Sequence, residues 1–164
     1  MSEDAQVDAL TSALEIAPMV EELMKFAPIL FYMLAIAPKK EEIIENVLMV
    51  SVGFATFENV CYLLTNGSNS VSDLLIRGFG TGAMHVVGGM IVGGGLVMLA
   101  DVSWLRVVGT VCLLAVAIAY HAIYNTLVAQ TGAVRVIGFL IPLFITLVVV
   151  VSRKLARRKI GEKV

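Results

Sequence analysis

Charge is scarce in this chain. Only 15% of its 164 residues are Asp, Glu, Lys or Arg, while 59% are hydrophobic. A soluble domain is nearer about 45–50% apolar, and mean hydropathy here is +0.91. A soluble globular protein is excluded, and the chain reads as an integral membrane protein. Cysteine is also sparse: Cys61 and Cys112 are the only two. Neither forms a CxxC pair or a Cys/His zinc spacing, and both read as buried small hydrophobes in apolar runs. No HExxH sequence occurs, which excludes ordinary zincin geometry. The net charge of −1 shows no basic excess that would suit a nucleic acid. The first residues lack a basic n-region and an apolar h-region, so they do not read as a signal peptide.

What is present is a series of long apolar runs. Their lengths predict an all-α polytopic bundle of about five transmembrane helices. Residues 1–11 read as a polar tail, 12–152 as one transmembrane helical domain and 153–164 as a basic tail. Span 1 is expected from Ser12 to Ala37. Pro18 starts or kinks it, Pro28 removes one backbone bond within it, and Pro38 ends it. Span 2 covers Ile43 to Leu64, and Asn66-Gly67-Ser68 marks a turn after it. Span 3 covers Ser72 to Ala100. It carries Gly78/Gly82 and Gly89/Gly93, small-xxx-small pairs that let helices approach closely and permit a dimer. Gly53 in span 2 is read the same way. A loop at Asp101–Arg106 precedes span 4, Val107 to Ala129. Span 5, Val136 to Val151, has no ionisable group and reads as scaffold.

The basic C-terminal segment and the acidic Glu3, Asp4 and Asp8 are at opposite ends. Loop basicity therefore puts the C-terminus in the cytoplasm and the N-terminus outside. The expected location is the plasma or inner membrane.

Within the spans, ionisable groups are few and each is expensive in lipid. Glu21, Glu22 and Lys25 lie in span 1, Glu58 in span 2, His85 in span 3 and His121 in span 4. At about 1.5 Å per residue, Glu21, Glu58 and His121 each fall roughly 11–12 Å from the outer end of their span, and His85 roughly 18–20 Å at most. They form a layer between spans 1–4. Local explanations exist for each. Glu21 and Lys25 can neutralise each other at i,i+4. His85 can bond a backbone carbonyl, and His121 can bond Asn125. Asn59 can anchor an interhelical hydrogen bond. Arg77, near a span end, can reach water.

Two imidazoles and a carboxylate make a three-ligand set suited to zinc, with a fourth position for water. Glu58, His85 and His121 form such a set. A further carboxylate, Glu21 or Glu22, can take the proton of that water and pass it to a leaving amine. Neighbouring helical residues diverge by about 100°, so only one of the two faces the centre directly. The other can pair with Lys25 or orient a ligand. Asn125 can stabilise an oxyanion. A metal-free route, in which Glu21 or Glu22 activates water and His121 and Asn125 hold the oxyanion, is also open.

These residues resemble a known family. Glu21-Glu22-Leu-Met-Lys25 is similar to the EExxK motif of PrsW-type intramembrane proteases. Phe54-Ala-Thr-Phe-Glu58-Asn59 is similar to their second motif, with Tyr62 in its usual place. His85 after Arg77 resembles the third motif, and Tyr120-His121-Ala-Ile-Tyr124-Asn125 the fourth. The resemblance covers Ala17 to Asn125, and the motifs occur in the family's order. It implies a glutamate- and histidine-dependent protease, presumed to use a metal and related to CAAX prenyl endopeptidases and bacteriocin-processing proteins. Lys25, Asn59 and Arg77 would support such a site.

The leading expectation is an intramembrane endopeptidase acting on a membrane-anchored protein or peptide within the lipid bilayer. A CAAX-like prenyl-protein peptidase is the nearest alternative. A proton or metal-ion carrier could use the same Glu/His layer, but the two halves of the chain show no inverted repeat.

Overall fold

A computed structural model describes residues 11–36, 38–67, 71–99 and 103–161. The acidic segment at residues 1–10, Ser68 of the expected turn and Asp101 lie outside them. The described chain is helical. A π-helical turn, Ser12–Ile16, leads into α1 (Ala17–Ile36), followed by α2 (Lys40–Asn66), α3 (Val71–Leu99), α4 (Ser103–Val128) and α5 (Gly132–Gly161).

Helix is the natural outcome in an apolar solvent, because each segment must satisfy its own backbone groups. Local chemistry then sets the ends. Pro18 has no N–H and its ring crowds the carbonyl four residues back. The turn before it widens, and Ala17 N–H bonds to the Ser12 carbonyl. At the start of α2, Lys39 N–H donates to Glu42 Oε2 at 2.9 Å, closing the first turn. Gly67, with φ 68°, ends α2 in a left-handed conformation, and its N–H bonds to Leu63 O at 2.9 Å.

Among the described residues, four helices are long and apolar enough to cross a membrane: Lys40–Thr65, Leu74–Leu99, Val107–Val128 and Gly132–Leu155. α1 is about 30 Å long, but Glu21, Glu22 and Lys25 set its composition apart. Three boundaries differ most from the sequence expectation. Helix resumes at Ser103, so the connection before α4 is shorter; α5 starts at Gly132 rather than Val136, which takes Arg135 into the helix, and it runs on through basic residues to Gly161.

α3 is the centre of the bundle and packs against α2, α4 and α5. Half of its spanning window is buried, against 17% for each of the other three. Glycine explains how neighbours reach it. A methyl group at Gly89 would collide with Ser51, and one at Gly93 would meet Val47 at 2.9 Å. The Gly89/Gly93 pair is therefore where α2 and α3 approach closely. Gly78 and Gly82 have nothing within 4 Å of an added methyl, and neither has Gly53. The close approach expected at Gly53 is not made; that residue is exposed.

Two apolar clusters flank the bundle's polar interior. Ile29, Ile43, Val47, Val92, Leu96 and Ala117 form one, and Met84, Tyr124 and Phe139 form the other. The outer surface is apolar, with Phe31, Phe57, Leu64, Phe79, Met98 and Phe144 exposed. This is the surface that lipid tails cover. Cys112 is exposed on it, contrary to the expectation of a buried thiol, while Cys61 is half-buried; both are free.

Candidate active site

Four helices contribute to one polar cluster. On α2, Phe54, Glu58 and Tyr62 recur every four residues and share a face. On α3, Arg77, Thr81 and His85 do the same. The two helices run antiparallel, so the stripes meet in register. The Arg77 guanidinium lies 3.6 Å from the Tyr62 ring centroid. It donates to Glu58 Oε1 at 2.8 Å. Glu58 Oε2 meets His85 Nε2 at 2.5 Å. The Phe54 ring packs edge-on to His85, with centroids 5.5 Å apart. Phe57, by contrast, points outward. Thr81 is bonded to the Tyr124 hydroxyl at 2.9 Å, tying α3 to α4.

α1 enters from the other side. Glu22 and Lys25 are only 3% and 4% exposed, so their charges must be answered within the bundle. They are, because Lys25 Nζ donates to Glu22 Oε1. The same carboxylate oxygen accepts from His121 Nδ1 at 2.9 Å. Lys25 Nζ also lies 2.9 Å from His85 Nδ1. The His85 and His121 rings are perpendicular, with centroids 5.2 Å apart.

The adjacent glutamates on α1 therefore have different environments. Glu22 is held by Lys25 and His121. Glu21 Oε2 is buried and has no hydrogen-bond partner among the described residues. It lies 3.7 Å from His121 Nε2. One oxygen of Glu21 and one nitrogen each of His85 and His121 all fall within 4.8 Å of one another. An unanswered carboxylate oxygen beside two imidazoles suits a divalent cation in donor chemistry. These three residues fit a metal. Glu22 acts on His121 as a carboxylate behind a metal-binding histidine does: it accepts the hydrogen bond from Nδ1–H and leaves the Nε2 lone pair on the side of Glu21.

The PrsW intramembrane metalloprotease family model matches residues 1–152. This chain belongs to that family. It is therefore a multi-pass membrane protein and an intramembrane protease. No curated protein and no solved structure matches the chain.

Each motif of this PrsW chain can now be placed. Glu21, Glu22, Lys25, Glu58, Arg77, His85 and His121 come together. The local pairings that the sequence allowed for His85 and His121 are replaced by contacts between helices, and that of Lys25 shifts to another residue of the same helix. Lys25 pairs with Glu22 rather than Glu21. His85 bonds Glu58 and Lys25 rather than a backbone carbonyl, and His121 bonds Glu22. Glu58, expected beside both histidines, sits behind His85, and Glu21 is the carboxylate grouped with the two imidazoles. Asn59 is half-buried on α2, next to Glu58. Asn125 is half-buried one turn beyond His121.

Sequence reasoning set Arg77 near a span end and treated it as free to reach water. The four-residue spacing of Arg77, Thr81 and His85 was the signal for its inward face. The contact between Lys25 and His85 had no such signal, because it joins residues 60 positions apart.

Proposed function

We propose that this PrsW protein is a metallo-endopeptidase that hydrolyses peptide bonds of membrane-anchored proteins or peptides, with Glu21 as the group that activates water. The observation that carries the reading is the buried, unpartnered Oε2 of Glu21 beside His85 and His121. Glu21, His85 and His121 would hold the metal, zinc being the ion best suited to this donor set. Bound there, it would supply Lewis-acid polarisation of a peptide carbonyl and make water more acidic.

The chain's own groups supply the rest. One oxygen of Glu21 would stay on the metal while the other takes a proton from water and returns it to the leaving amine. Glu22 fixes the His121 tautomer through Nδ1. Arg77 and Glu58 hold the His85 ring. Asn125 donates to the developing oxyanion. α1 serves as the first of five spans, with its charges turned inward. The N-terminus is outside, the C-terminus is cytoplasmic, and cleavage occurs in the outer part of the cell membrane.

The test uses the full chain in lipid nanodiscs with a fluorogenic, membrane-anchored peptide library. Glu21→Gln and His121→Ala, each still folded, are expected to lower cleavage by about 10²- to 10⁴-fold. Wild-type cleavage in both variants would overturn the assignment. Metal content of the same samples separates the duties of Glu21: a ligand loses metal when changed to Gln, and a base alone keeps it.

A further inference from the structure

Lys25 is buried against three partners: Glu22, His85 and the face of Phe54, whose centroid is 5.5 Å from Nζ. Pairing with Glu22 accounts for its charge. It does not account for the 2.9 Å contact with His85 Nδ1.

That contact determines the state of the imidazole. An ammonium group has donors and no acceptor. The nitrogen facing it must carry a lone pair, so His85 Nδ1 is unprotonated. Nε2 then carries the proton and donates it to Glu58 Oε2, 2.5 Å away. Both nitrogens of His85 are thus engaged, and its one lone pair is taken by Lys25.

A metal on His85 is incompatible with this arrangement at either nitrogen. At Nδ1, the metal needs the lone pair that Lys25 occupies. At Nε2, it forces the proton onto Nδ1, where an N–H would face the N–H groups of the ammonium. In both cases the Lys25–His85 contact has to break. Lys25 can leave without losing its charge partner, because Glu22 lies one turn away on the same helix. Phe54 packs on both Lys25 and His85 and confines the ammonium to their side of the cluster.

We infer that Lys25 is a built-in cation that competes with a metal for His85 and must be displaced for a metal to bind there. The inference rests on the proposed role of His85 as a ligand. A lysine here makes loading a competition between two cations. A neutral side chain of similar length should leave the histidine open.

The experiment titrates zinc chloride into metal-stripped full-length protein in nanodiscs, with a fluorescent chelator as competitor. Lys25→Met should tighten zinc binding by about tenfold or more, while Lys25→Arg, which keeps a donor-only cation, should stay within about threefold of wild type. ¹⁵N spectra of the metal-free wild type should show His85 Nδ1 unprotonated and Nε2 protonated. Unchanged or weaker binding in Lys25→Met overturns the inference, as does a proton on Nδ1. His85→Ala separates this failure from that of the metal reading. If zinc binding depends on His85 yet does not tighten in Lys25→Met, the gate alone is wrong. If wild type binds no zinc, or His85→Ala binds it as well as wild type, both fall together.

Discussion

Along the α2–α3 interface, Tyr62, Glu58 and Phe54 meet Arg77 and His85, whereas further along Ser51 and Val47 meet Gly89 and Gly93. The two ends obey different physics. At the glycine end there is no hydrophobic driving force, since lipid tails are as apolar as valine. Contact there comes from close packing, and the absent methyl groups set the distance. At the polar end, each group is costly in lipid unless bonded. Contact there comes from donors meeting acceptors, which sets the orientation of one imidazole. Close packing at one end therefore places the polar groups at the other within reach. The difference teaches that this site depends on residues several turns away that touch none of its chemistry.

Four substitutions would break or sharpen that comparison. The largest effect is expected from Glu58→Ala, which frees both Arg77 and His85. Cleavage in nanodiscs should fall about 100-fold, the upper end for a group that holds a ligand. Next is Gly93→Leu, which forces α2 and α3 apart at Val47 and should cost about 1–3 kcal/mol, read as an earlier midpoint in denaturing-detergent unfolding. If the two ends are coupled, this variant also loses cleavage while still inserted. Arg77→Lys keeps the charge but loses the planar stack on Tyr62 and the fixed fork. A fall in cleavage of about tenfold is expected, with stability nearly unchanged. Smallest is Gly78→Ala, where an added methyl meets nothing within 4 Å. Stability should move by less than about 0.5 kcal/mol. A large loss there would mean that the Gly78/Gly82 face is covered by another helix, and chemical cross-linking would detect it.

Much of this architecture was legible in the sequence. Apolar length predicts helices in a membrane, and Gly67 marks the end of α2. The polar residues at matching depth predict a layer between helices. Other features were not legible. Gly78/Gly82 and Gly89/Gly93 have the same spacing, yet only the second pair accepts α2. Gly53 looks like a packing glycine but faces outward. Spacing along a helix defines a face, but not what that face meets.

The glutamates show the same division. By itself the sequence determined that charged and imidazole groups lie on four helices at nearly one depth, because depth follows from position along a helix. It also determined that Glu21 and Glu22 diverge, because the helical turn per residue is invariant. Only the tertiary structure decided that Glu22 takes Lys25 and His121, that Glu21 keeps an unpartnered oxygen, that Glu58 stands behind His85, and that Lys25 reaches that same ring. Those outcomes depend on how each helix is rotated about its axis and slid against its neighbours. Rotation and register are set by packing against other helices, as at Gly89 and Gly93 between α2 and α3, and no local spacing encodes them.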